Sequence, residues 1–89
     1  MKNESDTLLE FPCKFPIKAI GKARDDLDAI IFSLVNPHVP DLSEGAIKTR
    51  LSKKNNYMSI TITFTATSRD QLDNIYLDLT ACEHISMVF

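Results

Sequence analysis

The chain has only two glycines, two cysteines and no tryptophan, and it lacks any uninterrupted apolar run of membrane-spanning length. Each scarcity excludes something. With Gly21 and Gly45 as its only glycines, it has no glycine-rich loop to cradle phosphates. Cys13 and Cys82 do not make a disulfide framework. In the fold argued below they start from opposite ends of neighbouring strands, so free thiols are expected. A membrane span needs roughly 18–20 apolar residues, and no stretch approaches that. The N-terminal stretch carries charges where a signal peptide needs an apolar core, so the expected location is the cytoplasm. His38 and His84 have no partners at ligand spacing, and neither a metal nor a cofactor is expected. No serine, cysteine or histidine has a suitably spaced base. No catalytic residue is therefore assigned, and an enzyme is not expected. Asp25, Asp26 and Asp28 are better explained by a helix start than by a metal.

What is present is ordinary for a soluble domain: 89 residues, 44% hydrophobic and 25% charged, with a net charge of −2. A chain of this size buries roughly 60–65% of its unfolded surface, enough for one small core. Residues 1–10 read as a flexible polar segment, with Leu8, Leu9 and Phe11 tucking against the edge of a single domain over 11–89.

Residues 56–67 organise that domain. Met58, Ile60, Ile62, Phe64 and Ala66 alternate strictly with Tyr57, Ser59, Thr61, Thr63 and Thr65, the period of a half-buried strand. An earlier strand ends near Ala23. It sets Phe15, Ile17, Ala19 and Gly21 on one face and Lys18, Ile20 and Lys22 on the other, with Pro12 and Pro16 making its entry unpaired or irregular. Asp25 is the expected N-cap of a helix whose Leu27, Ile30, Ile31, Leu34 and Val35 form one apolar stripe, stopped at Asn36-Pro37. After a loop over 38–45, residues 46–53 form a strand. A two-residue Asn55-Asn56 turn would set Leu51 opposite Ile60, and a four-residue loop would keep the same faces together. Ser68-x-x-Gln71 is a capping box before a second stripe of Leu72, Ile75, Tyr76 and Leu79. A last strand over 85–89 has Ile85, Met87 and Phe89 as its expected core side.

The order β-α-β-β-α-β, with right-handed crossovers, places two helices on one face of a four-stranded antiparallel sheet. This is an α+β, ferredoxin-like sandwich, with its first and third strands central.

Charge divides the domain. No Asp or Glu falls in residues 11–23 or 46–67, where Lys14, Lys18, Lys22, Lys48, Arg50, Lys53 and Lys54 lie. Parity turns Lys18, Lys22, Lys48 and Arg50 to the open sheet face beside Tyr57, Ser59, Thr61 and Thr63. These eight are the candidate partner surface. RNA-recognition modules share the topology but stack bases on mid-strand aromatics. Here those positions hold Lys18, Ile20, Thr61 and Thr63, so nucleic acid is the weakest reading.

Leu8-Leu9-Glu10-Phe11-Pro12, then Phe15, Lys18 and Gly21, then Asn56-Tyr57-x-Ser59-Ile60-Thr61-Ile62-Thr63 and the closing Met87-Val88-Phe89 resemble the YbeD-like family of small uncharacterised bacterial proteins. The resemblance covers nearly the whole chain. It implies a ferredoxin-like fold similar to ACT regulatory domains and a link to lipoate metabolism through protein–protein binding. It supplies no active site. ACT domains pair by sheet edges or faces and bind small effectors, commonly amino acids, at the interface, which implies a homodimer through the sheet. Their usual ligand loop is glycine-rich, whereas this chain has Gly21-Lys22-Ala23-Arg24. The leading expectation is a non-catalytic regulatory or interaction module that binds another protein. The alternative is a sensor of an anionic small molecule, with Gly21, Arg24 and Asp25 as its effector loop at a helix N-terminus.

Overall fold

A computed structural model describes residues 10–89. The expectations for residues 1–9, including the packing of Leu8 and Leu9, lie outside them. The elements are β1 (Cys13–Lys22), α1 (Leu27–Val35), β2 (Ile47–Leu51), β3 (Tyr57–Ala66), α2 (Arg69–Ala81) and β4 (Ile85–Val88), with a one-turn 3-10 helix at Glu44–Ala46. The four strands form one antiparallel sheet in the order β2-β3-β1-β4. This is the ferredoxin-like α+β arrangement, with β1 and β3 central.

The alternating residues of the central strands build the core. Ile17 and Ala19 of β1 and Ile60, Ile62, Phe64 and Ala66 of β3 are buried, as are Leu27, Ile31 and Val35 of α1 and Leu72, Ile75 and Leu79 of α2. Each large aliphatic side chain in this layer contributes roughly 1.5–3 kcal/mol by leaving water. The connection after α1 adds Val39 and Leu42 to the core. Phe11 packs half-buried against its edge.

Four local expectations are corrected. The α1 N-cap is Asp26, not Asp25, and its carboxylate makes no cap hydrogen bond because Arg24 holds it. The strand β1 is regular through Pro16, which pairs with Thr63. Proline is tolerated there because Lys18 N–H points to the β4 side, where it bonds to the Phe89 carbonyl at 2.7 Å. Pro16, two residues earlier, turns its nitrogen to that same side, beyond the last β4 pair.

The β2–β3 hairpin has the four-residue loop, so Leu51 faces Met58 and Thr49 faces Ile60, a shift of two residues from the Asn55-Asn56 turn. Ser52 N–H donates to the Tyr57 carbonyl at 2.8 Å, and Asn55 takes the left-handed conformation (φ 58°) that asparagine tolerates in tight turns. A two-residue shift preserves every face, so parity alone did not separate the two loops.

The fourth correction concerns β4. Ala19 pairs with Val88 and Ile20 with Met87, but Gly21 pairs with Ile85, leaving Ser86 as an extra residue on β4. This bulge reverses the faces beyond it. Ile85 stays in the core, whereas Met87 and Phe89 emerge on the open face, 55% and 57% exposed. Gly21 is required by proximity rather than by backbone conformation. A Cβ here would lie inside the contact radius of the His84 carbonyl oxygen and 3.3 Å from Leu27 Cδ2.

The start of α2 follows the serine half of its motif, while the glutamine reaches the amide one residue before the N-cap. Gln71 N–H donates to Ser68 Oγ at 3.1 Å, and Gln71 Oε1 accepts the Thr67 N–H at 2.8 Å. The same Gln71 side chain donates to the His38 carbonyl, and His38 Nε2 lies 2.6 Å from Asp78 Oδ2. These bonds tie the loop after α1 to α2. No helix among the described residues is long and apolar enough to cross a membrane.

Candidate functional site

The open sheet face is ordered by the pairing registers. One row across the four strands holds Lys48, Thr61, Lys18 and Phe89; the next holds Arg50, Ser59, Ile20 and Met87. Tyr57 and Lys22 pair in the row beyond, and Thr63 lies opposite Pro16. All eight residues of the candidate surface therefore belong to three adjoining strands and one face. Lys18, Lys48, Arg50, Ser59 and Thr61 line a shallow depression of about 290 Å³.

The face has two halves. On the β2 and β3 side it is basic and hydroxyl-rich. Among the described residues, none of Lys18, Lys22, Lys48 and Arg50 forms an ion pair with an acid. On the β1 and β4 side, half-buried Ile20 adjoins exposed Met87 and Phe89, an apolar strip that continues the same two rows. Sequence alternation found Ile20 here but assigned Met87 and Phe89 to the core. The signal that would have moved them is the Ser86 bulge, which follows from the close approach at Gly21 and not from β4's own alternation.

The Gly21–Asp25 stretch is arranged differently. Gly21 is buried beneath the start of β4, and Asp25 is exposed. Arg24 pairs with Asp26 through Nε and Nη2, and its Nη1 lies 2.9 Å from His84 Nδ1. The hydrogen bond from Arg24 holds the Asp26 carboxyl below its ordinary range, and the same bond raises the guanidinium's affinity for its proton. Lys22, Arg24 and His84, with Glu83 and Ser86, line a depression of about 350 Å³. Arg24 there already has its counter-ion. Cys13 and Cys82 are free, Cys82 capping α2. No group of three His, Cys, Asp or Glu side chains able to hold a metal gathers among the described residues.

Comparison with known proteins adds a family and a fold. Residues 6–89 match a family model described as "Protein of unknown function (DUF493)". A "UPF0250 protein" of Chromobacterium violaceum is 44% identical over 88 residues, covering 99% of each chain. Another, from a Janthinobacterium species, is 44% identical over 77 residues, covering 86% of this chain and 85% of its own. The solution structure of protein HP0495 from Helicobacter pylori superposes with a TM-score of 0.70 at 12% identity, covering 91% of this chain and 85% of that one. This last likeness is one of fold alone.

Proposed function

We infer that this chain, which belongs to the DUF493 family of unknown function that includes the YbeD-like proteins, acts as a non-catalytic regulatory module by taking a partner protein on its open sheet face. The observation that carries the reading is the pairing of two unlike halves on one surface. Lys18, Lys48 and Arg50 offer cations without an acidic partner among the described residues, and Ile20, Met87 and Phe89 offer apolar area beside them. Interfaces combine a desolvated apolar centre with charges that steer and orient the partner. A partner with an acidic margin around an apolar patch fits both halves. The YbeD-like resemblance directs the search to enzymes of lipoate metabolism.

The test is affinity capture from native extract with the intact chain, with the partner identified by mass spectrometry. Replacing Lys18, Lys48 and Arg50 together by serine should leave the fold nearly unchanged, because exposed substitutions usually cost within about 0.5 kcal/mol each. It should also abolish capture. Capture unchanged by the folded triple variant removes the basic half from the site. Mass determination of the free protein in parallel separates self-association through the same face from partner binding.

A second reading rests on the depression lined by Lys22, Arg24 and His84, where an anionic effector would compete with Asp26 for Arg24 and lie beside Glu83. A thermal-shift screen of small anions tests it, since a ligand of the native state raises the midpoint. No shift from any carboxylate or phosphate compound at millimolar concentration removes the sensor reading.

A further inference from the structure

We propose that β2 is a docking edge that takes an extended peptide segment as a fifth strand, one that alternates acidic and apolar side chains. This goes beyond the open face described above, because it concerns the sheet's margin and the groove on its other side.

The hydrogen-bond phase of β2 is set by its hairpin. Ser52 N–H donates to Tyr57, so Ser52, Arg50 and Lys48 turn their backbone groups toward β3. Thr49 and Leu51, of opposite phase, turn their N–H and C=O groups outward. No described strand pairs with them on that side. Ile47 N–H is already used, bonding to the Glu44 carbonyl. The outward groups are a template for strand addition.

The two faces of β2 specify what the added strand carries. On the helix side, β2 is not covered as its neighbours are: Thr49 is exposed and Leu51 is 52% exposed. A groove of about 500 Å³ between α1 and β2 is lined by Ala29, Phe32 and Ile47. A second hollow of about 490 Å³, beside Leu51 and Met58, shares Asp28 and Thr49 with it as lining residues. Apolar side chains of an added strand would enter these hollows. Asp28 and Glu44 on the groove's wall disfavour acidic ones there, and in the second hollow Asp25 and Asp28 line the wall with Arg24, whose guanidinium is already paired with Asp26. On the open face the alternate side chains of the added strand would lie beside Lys48 and Arg50, which favours acidic ones.

The same charges argue against a second copy as the occupant. Antiparallel pairing of β2 with its own counterpart sets lysine and arginine against arginine and lysine, and like charges directly opposed are destabilising. The complement is a segment of a different protein with glutamate or aspartate at every second position.

The probe is an acetylated, amidated heptapeptide alternating glutamate with valine, titrated into the isotopically labelled chain and followed by amide chemical shifts. Saturable shifts centred on Thr49 and Leu51 are expected. A peptide with lysine in place of each glutamate should bind at least tenfold more weakly. Thr49→Pro removes an outward N–H and no bond to β3, and should weaken the glutamate peptide at least tenfold. Should Thr49→Pro fail to fold, the Lys48→Glu/Arg50→Glu double variant carries the test, with at least a tenfold loss expected. Lys18→Ser, two strands away, should change affinity by less than threefold. Three results overturn the proposal: no saturable binding at millimolar peptide, equal binding of the lysine peptide, or binding unaffected by both β2 variants. Binding that falls with Lys18→Ser and survives Thr49→Pro places the peptide on the open face. That outcome overturns the edge and leaves the face reading standing.

Discussion

The two outer strands of the sheet are finished in different ways. On β4, four residues long, the Ser86 bulge turns Ile85 inward and Met87 outward, and α2 packs over the inner side. The close approach of Gly21 to His84 pins its start. On β2, five residues long and free of bulges, every residue but Ile47 is exposed. One edge is locked into the core; the other is left as an accessible ribbon whose main safeguard is positive charge. Lysine and arginine on an edge deter pairing with a like strand, and they do so without covering the backbone. An edge protected by charge alone remains open to a strand of the opposite charge.

The contrast is sharpest in the cost of truncation. Ile85→Ala on β4 should destabilise the fold by about 3 kcal/mol, since it removes buried aliphatic volume beneath α2. Leu51→Ala, the corresponding change on β2, should cost about 0.5 kcal/mol or less. Urea denaturation of both variants measures the difference. Comparable losses would mean that β2 is as integral to the core as β4.

Next in size is Gly21→Ala. Its new methyl meets a backbone carbonyl, which is unable to rotate away as a side chain would, so β4 must shift. A loss of about 2 kcal/mol is expected, within the range for overpacking a tight site. A melting temperature equal to that of the parent would show that β4 is not pinned at this point.

Backbone exchange probes β2 at lower energy. Lys48 and Arg50 amides, bonded to β3, should be protected, whereas Thr49 and Leu51 amides should exchange nearly as fast as free peptide. Uniform protection along β2 would require a partner strand already in place.

The smallest effect expected is at the Arg24–Asp26 pair, which borders the entry to β4 through His84. Hydrogen bonding to Arg24 lowers the folded-state pKa of Asp26. Its stabilisation is therefore present above the ordinary carboxylate value and lost as pH falls below about 4 toward the lowered folded value. Asp26→Asn should be slightly less stable than the parent at pH 7, with the gap closing in acid. Both groups are well exposed, so the gap is small. A gap that persists at pH 2, where the carboxyl is protonated, would show that its charge is not the source.

Much of the molecule was legible from residue order. The alternation in β1 and β3 names their buried faces residue by residue, and the same parity places Lys18, Lys48 and Arg50 on the open face. The Ser68-x-x-Gln71 box named the start of α2. The candidate site was legible only in its basic half. Its apolar half depends on Met87 and Phe89, whose alternation with Val88 reads equally well in either phase.

What the sequence by itself determined is therefore everything set by period: which strand residues share a face, which helix stripes meet the sheet, and where the acids are missing. Those properties are local, repeating every two residues in a strand and every three or four in a helix. What only the tertiary structure decided is where one element lies against another. The hairpin register, the phase of β4 after its extra residue and the uncovered inner side of β2 all depend on long-range contact. A two-residue slip leaves every face unchanged, a one-residue bulge reverses them, and whether a helix reaches the last strand is a matter of packing across the whole domain.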